Sequence, residues 1–272
     1  MVGLNNGSID LRHTMSIATR VRVINALTFR ELRTRISHNY VGFMGLIIGP
    51  LLSILSFSVI FTFLHPLHDD SIDPIIFFTT GIVVFTVFSE TSVRAVHAYQ
   101  ANEALFFYRH VRPIDTVVSR ALVELGLLCL LTIIILGPYF LIFPNQRIDD
   151  LPRLFASVLL TSVFSFGCGV IFMIAGRLYP VIEVFIPMIM RPLWYISGAL
   201  FSLSHIPQPY RQWLAVNPII QGVELSRNAF NSHYTLEGTG VSMFYLFTSA
   251  LVTVVLALWA YTLVEKKLRR SQ

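Results

Sequence analysis

The sequence predicts an all-α integral membrane protein: six transmembrane helices, an N-terminal interfacial amphipathic helix, and a broken re-entrant helix pair between spans five and six. Three observations predict it. Six apolar stretches are each long enough to supply the about 20 helical residues that a bilayer core of about 30 Å requires. The basic residues between them fall almost entirely on alternate sides. Of the 272 residues, 54% are apolar and only 13% charged, a balance a soluble domain of this size would struggle to keep in solution.

The chain divides into a cytoplasmic and interfacial segment, residues 1–40, and a transmembrane domain, residues 41–272. Residues 1–40 are polar and Arg-rich, without the short apolar core of a cleaved signal, so the first span is expected to act as its own insertion signal. From Ser16 to Ile36, the residues Ile17, Val21, Ile24, Leu27, Leu32 and Ile36 recur at mostly helical spacing with arginines between them. Such a helix lies in the membrane interface, where arginine meets anionic headgroups; the alternative is a cytosolic helix packed on a partner.

The spans follow as Val41 to Leu64, Pro74 to Thr91, Val118 to Phe143, Leu154 to Gly176, Val181 to Leu203 and Ser242 to Val264, the second being the shortest. Gly45 and Gly49 in span one form a small-xxx-small pair followed by Pro50, which predicts packing against a neighbouring helix or a second copy. The first loop, His65 to Asp73, holds His65, His68, Asp69, Asp70 and Asp73. These are metal-ligand types, but a single short loop favours a solvated turn.

Counting Lys and Arg along the chain, with the N-terminus placed in the cytoplasm, fifteen of the 20 lie on the inner side. Four lie outside (Arg147, Arg153, Arg211, Arg227), and Arg191 falls within span five. Both termini are therefore expected in the cytoplasm. The net charge of +5 reflects this topology and gives no reason to expect a nucleic-acid partner. Cys129 and Cys168 both fall inside spans, which predicts packing roles in place of a disulfide or metal site.

Two connecting segments carry the functional signal. Arg94 to Arg120 joins a helix-forming stretch, an aromatic knot at Phe106, Phe107 and Tyr108, basic residues, and Pro113 as a stop or restart. It is too apolar for a free loop and should dock on something, either a partner or its own helices. Ser204 to Gly240 is neither a loop nor a span. Pro207 and Pro209 break the chain, Asn217 and Pro218 form a cap and first-turn pair, and IIQGVELSRNAF makes about three turns, with Glu224 and Arg227 on one face. A short helix dipping back into the membrane accounts for this, since irregular backbone at that depth must face protein or water.

Charges inside spans cost about 2.5–3.5 kcal/mol at the bilayer centre and so face the bundle interior. Arg191, flanked by Pro187 and Pro192, is expected to reach Glu124 or carbonyls freed by the prolines; alternatively it meets an anionic group on a translocation path. Glu90 is expected to pair locally. There is no Walker A pattern, HExxH, paired-cysteine framework or dinucleotide glycine fingerprint. Ser197 and His205 are the only tempting nucleophile and base, without an orienting third group, so a membrane enzyme is the weaker reading.

Three stretches carry a family resemblance: VINALTFRELRTR followed by VGFMGLIIGPLL, then RHVRPIDTVVSRALVE, then SGALFSLSHIPQPYRQWLAVNPIIQGVELSRNAF. The last is the most specific, with Ser197 and Gly198, Ile206 and Pro207, Asn217 and Pro218, then Glu224 and Arg227 in order. Together they resemble the permease subunits of type 2 ATP-binding cassette exporters, specifically those exporting capsular polysaccharide in Gram-negative bacteria. Exporters of O-antigen and teichoic acid share the same layout, so export of those polymers, or of a smaller amphiphile, is the alternative that the resemblance implies.

The resemblance implies a homodimer in the inner membrane with two cytoplasmic ATPase subunits, which bind the ATP and Mg, while this chain binds no cofactor. It also implies a lipid-linked acidic polysaccharide as cargo and a periplasmic polysaccharide co-polymerase as a further partner. The region Tyr99 to Arg112 would be the coupling helix, with Glu103, Phe106, Phe107, Tyr108 and Arg109 as contacts. Arg30, Glu31 and Arg33 would help gate glycolipid access. The broken helices carrying Asn217, Pro218, Glu224 and Arg227 would line the outer mouth. A polymer sliding through needs weak, repeated contacts, which aromatic faces provide. Phe85, Phe88, Trp194, Tyr195 and Phe201, with Arg191, are the candidates for that wall.

Overall fold

The computed structural model describes residues 17–37, 40–64, 72–108, 110–144 and 146–270, and among these it contains helices and turns but no strand. The helices are α1 (Ile17–Ser37), α2 (Tyr40–Leu64), α3 (Pro74–Val96), α4 (Ala98–Ala101), α5 (Pro113–Ile142), α6 (Leu151–Leu178), α7 (Val181–Tyr195), α8 (Tyr210–Ala215), α9 (Pro218–Phe230) and α10 (Met243–Arg270). Four of these, α3, α5, α6 and α10, are long and apolar enough to cross a membrane, and α2 carries an apolar stretch over Ile47–Phe63.

Four helices, α3, α5, α6 and α9, start the same way, because the sequence places a capping side chain beside a proline. Asp73 accepts from the Ile75 amide at 3.1 Å ahead of Pro74, and Asp150 accepts from the Arg153 amide at 2.9 Å beside Pro152. Asn217 accepts from the Ile219 amide at 3.0 Å ahead of Pro218. At α5 the Asp115 carboxylate accepts from the Arg112 amide at 2.9 Å, with Pro113 in the first turn. Proline costs nothing there, since first-turn amides have no helical acceptor, and the side-chain oxygen serves one of the orphan donors. Pro113 therefore restarts the chain as α5, and the Asn217–Pro218 cap is formed as expected.

α3 is the central helix. It packs on α2, α5, α6, α7 and α9 and is buried on nearly all sides, so span two runs on to Val96 instead of ending near Thr91. α5, α6 and α10 each keep a broad apolar face outward, including Ile133, Phe155, Val252 and Trp259. Outward apolar faces on long helices suit a bilayer and would be a liability in water. Gly45 and Gly49 also point out of the chain: a methyl group at either position would meet nothing within 4 Å. The expected partner helix for that pair is not one of this chain's described elements.

Span five is corrected. α7 has 15 residues, about 22 Å of rise, and stops at Tyr195 rather than Leu203. Pro187 and Pro192 already thin its hydrogen bonding, and Gly198 at φ +76° turns the chain aside. The bundle thus has two distinct ends. One gathers α1, the C-terminal end of α3, α4 and the start of α5; the other gathers the 196–205 stretch, α8, α9 and the start of α6.

Candidate functional site

Each end holds a charged cluster. At the α9 end the centre is Arg227, whose side chain is fully buried together with Glu224. Its Nη1 donates to Glu224 Oε1 and to the Phe201 carbonyl, both at 2.9 Å, and Nη2 donates to the Gly198 carbonyl at 2.8 Å and the Ala199 carbonyl at 3.2 Å. The guanidinium also lies 3.5 Å above the Phe77 ring. The stretch after α7 has no helical partners for its carbonyls, and Arg227 supplies them. Glu224 completes the unit, accepting from the Leu203 amide at 3.1 Å and from the Tyr234 hydroxyl at 2.7 Å. Burial, with the Glu224 carboxylate beside it, holds the Tyr234 phenol above its ordinary range, so it stays a donor.

Two glycines make room for this arrangement. A Cβ at Gly81 of α3 would lie 2.6 Å from the Ala199 carbonyl oxygen and 2.9 Å from Arg227 Nη2. A Cβ at Gly222 of α9 would lie 2.2 Å from the Thr161 hydroxyl of α6. Gln221 ties α9 onward, donating to the Ala215 carbonyl at 2.6 Å and accepting from the Ser242 amide at 2.7 Å. With no exposed polar atom to meet a substrate, Arg227 and Glu224 hold three strands of chain together and do no surface chemistry. Sequence reasoning found this pair through its i, i+3 spacing but missed Tyr234, Gln221 and Gly81, which carry no local signal.

At the α1 end, Glu124 of α5 is buried between Arg35 of α1 at 2.6 Å and Arg94 of α3 at 2.7 Å. Glu31 pairs with Arg35 at 3.3 Å and Arg120 at 3.6 Å, and Glu90 pairs with Arg94 at 3.0 Å, the local partner expected for it. Arg120 also donates to the Arg94 carbonyl, and Arg30 donates to the Asn102 side chain. Beside them opens a cavity of about 300 Å³ lined by Glu31, Glu90, Val93, Arg94, His97 and Arg120. Three helices distant in sequence meet here through charge, an arrangement that the i, i+4 pair Glu90–Arg94 alone could not reveal. Arg33, the third expected gating residue, is exposed.

Arg191 is corrected accordingly. The expected pairing with Glu124 does not form, because Glu124 is already held by two arginines nearer to it; Arg191 instead stands exposed on α7. Phe85 and Phe88 are corrected as wall residues. They are 4% and 5% exposed, within a core that includes Ile186, Met190 and Ile219, and Phe88 stacks on Phe164 at 5.9 Å. A side chain spent on the chain's own core offers no face to a passing polymer. Trp194 is half-buried, tilted against Phe57 at 5.6 Å; Tyr195 is exposed; Phe201 is half-buried with its carbonyl on Arg227.

The expected single coupling helix from Tyr99 to Arg112 is also corrected. α4 ends at Ala101, and Glu103–Phe107 forms a separate 3₁₀ turn. Asn102 sits between them and donates to the Ala98 carbonyl at 2.8 Å, a local bond that competes with helix continuation. Phe106 folds back onto Tyr99 at 5.0 Å, and Glu103 pairs with Arg177 at 3.5 Å. Phe107, 74% exposed, and Tyr108 project from the end of the bundle. Arg109 lies outside the described residues, as do His65, His68, Asp69 and Asp70. Asp73 is the cap of α3, and no group of three His, Cys, Asp or Glu among the described residues could hold a metal. Ser197 donates its hydroxyl proton to the Trp194 carbonyl at 2.7 Å, and His205 is exposed in a separate turn, so the two form no nucleophile and base pair.

Comparison with known proteins agrees with this architecture. The family model described as ABC-2 type transporter matches residues 22–231. The polysialic acid transport protein KpsM of Escherichia coli is 35% identical over 255 residues, covering 91% of this chain and 95% of the relative. The capsule polysaccharide export inner-membrane protein CtrC of Neisseria meningitidis serogroup B is 28% identical over 79% of this chain and 81% of its own. The capsule polysaccharide export inner-membrane protein BexB of Haemophilus influenzae is 27% identical over 89% and 91%. With a family match across most of its length and all-helical apolar architecture to accompany it, the chain belongs to the ABC-2 type transporter family.

Proposed function

We propose that this chain is the permease subunit of an ATP-driven exporter that moves lipid-linked capsular polysaccharide across the bacterial inner membrane. The observation that carries the reading is the 35% identity to a polysialic acid transport protein over nearly the full length of both chains, within an ABC-2 family match. Polysialic acid is acidic, so the cargo is read as an acidic polysaccharide on a lipid anchor. Two copies form the channel, two ATPase subunits drive it from the cytoplasm, and a periplasmic polysaccharide co-polymerase receives the polymer. ATP and Mg are held by the ATPase, and this chain supplies movement without a cofactor.

The distribution of Lys and Arg supports a cytoplasmic α1 end and cytoplasmic termini in this reading. Phe107 and Tyr108 then project toward the ATPase, exposed where a large apolar side chain gains from a partner groove. Glu103, paired with Arg177, and Phe106, packed on Tyr99, brace that knuckle, and Arg109 is a further contact of the ATPase in this reading. Arg30, Glu31 and Arg33 sit on the helix that guards access from the inner leaflet, and Arg30 links it to the knuckle through Asn102. Asn217, Pro218, Glu224 and Arg227 build the re-entrant element at the outer mouth. Tyr195 and Arg191, both exposed, with the half-buried Trp194 and Phe201, are the path residues in this reading.

The test is the ATP hydrolysis rate of the permease purified with its ATPase in lipid nanodiscs, with and without an acidic lipid-linked capsule fragment. Stimulation by that glycolipid and not by a neutral O-antigen lipid is the expected result. Equal stimulation by both would withdraw the capsule assignment and leave polysaccharide export; failure to form any ATPase complex would overturn the transporter reading.

A further inference from the structure

A groove of about 270 Å³ lies between α3, α5, α6 and α9, in the half of the bundle nearer the α9 end. Its floor is deep: Thr79, Val84 and Val87 of α3 and Ser226 of α9 are all buried. Its mouth is formed by Cys129 and Ile133 of α5 and Phe155 of α6, all exposed on the apolar outer face of the chain. Among the described residues that line it there is no charged side chain. The hydroxyls of Thr80, Thr132 and Ser226 are turned onto the Ile76, Leu128 and Gly222 carbonyls of their own helices at 2.9, 2.8 and 2.7 Å, and the Thr79 hydroxyl, without a partner among the described residues, is the one polar group left over at the floor. What the groove presents is therefore predominantly hydrocarbon. A groove so lined, open on the apolar outer face of the chain, favours an apolar guest over water.

The rim is different. Arg147 immediately precedes the lining residue Ile148, and Arg153 immediately precedes Leu154 and Phe155. Arg147 is exposed, while Arg153 pairs with Asp150 at 3.3 Å. Asp150 also caps α6, and Asp149 accepts from Ser232, so both carboxylates are committed to the chain while the Arg147 charge is open. An apolar slot inside the bilayer with a free guanidinium at its water-side end matches an acyl chain carrying a phosphate headgroup.

We propose that the α5–α6 groove is a binding site for one glycerophospholipid of the bilayer, with an acyl chain against α3 and its phosphate at Arg147. The bound chain fills space that α5 and α6 leave open beside the helix carrying Arg227, and so supports the position of α9 from outside.

The probe is phosphatidylglycerol bearing a diazirine on one acyl chain, photolysed in nanodiscs holding the full-length protein, with labelled peptides identified by mass spectrometry. Label is expected on residues 125–136 and 154–158. Cys129→Trp, which plugs the mouth at an exposed position, is expected to lower that label about tenfold while label on the outward face of α10 is unchanged. Cys129→Ser keeps the groove open and should label like the wild type. Ile133→Trp is a second plug in case the first fails to fold; correct folding of either is judged by α10 label and an unfolding midpoint unchanged from the wild type. Groove label equal in the plugged and open variants would overturn the proposal, as would label on α10 with none in the groove. Two further results would overturn it in favour of another occupant: Cys129 to Cys129 cross-linking between copies, and displacement of the probe by the lipid-linked polysaccharide at low excess. The labelling comparison between open and plugged variants needs neither ATP hydrolysis nor transport, so its failure leaves the export reading standing.

Discussion

The two charged clusters show opposite ways of keeping ions inside a membrane bundle. Around Arg227 there is one cation, one carboxylate, and carbonyls from a stretch that cannot satisfy itself; the charge is dry and its main partners are fixed. Around Glu124 there are three carboxylates and several arginines, drawn from α1, α3 and α5, and a cavity of about 300 Å³ beside them. Loss of one contact at the first site strands a buried charge. At the second, each arginine facing Glu124 has a substitute carboxylate within reach, Glu31 for Arg35 and Glu90 for Arg94. The first is suited to holding a fixed shape, and the second to tolerating movement of α1 against α3 and α5.

The largest expected effect is at the dry site. Arg227→Met strands Glu224 and leaves the 198–201 carbonyls without donors, and it should cost about 3–5 kcal/mol in denaturant unfolding followed in detergent micelles. The double change Glu224→Leu with Arg227→Met should cost less than Arg227→Met alone, since no charge is then stranded. Equal midpoints for wild type and Arg227→Met would remove the cluster from the list of structural braces. Glu124→Gln comes next, at about 1.5–3 kcal/mol, because Glu31 and Glu90 take up part of the load. A loss as large as that of Arg227→Met would erase the contrast between the two ends.

Phe107→Ala sharpens the contrast from outside either cluster. The ring is mostly in the open, so unfolding should move by no more than about 0.5 kcal/mol while recovery of the ATPase complex falls. Normal complex recovery would sink its docking role. The smallest effect concerns Asp149, whose carboxyl is held below its ordinary range by bonds of 2.8 Å from the Ser232 amide and hydroxyl. A lowered carboxyl pKa contributes stability that is present above the ordinary value and lost as pH falls through the folded one. The protection factor of the Ser232 amide, its exchange measured relative to the intrinsic rate at each pH, should therefore fall on acidification below the usual carboxylate range, and Asp149→Asn should remove that dependence.

Much of this was legible locally. The positions of spans two, three, four and six follow from apolar run length, with boundaries moved by a few residues, and the Asn217–Pro218 start of α9 follows from two adjacent residues. The Glu224–Arg227 and Glu90–Arg94 pairs follow from helical spacing. The break at Asn102 was not legible, because an asparagine within an apparently helical run signals an end only when its side chain bonds back to the turn before it. The short α7 was missed because span length was read from hydrophobicity, and the apolar residues after Tyr195 pack in a turn as readily as in a helix.

By itself, then, the sequence determined that the chain is helical, that it is built for a bilayer, where its capped helices begin, and which family it joins, since each of these rests on run length, spacing or motif. Only the tertiary structure decided that Phe85 and Phe88 face the core, that Glu124 belongs to Arg35 and Arg94 in place of Arg191, and that Arg227 serves carbonyls of a distant turn. The physical reason is common to all three. In a membrane, both the core and the surrounding lipid are apolar, so hydrophobic pattern no longer tells inside from outside, and a buried charge is held by whichever opposite group the packing brings nearest.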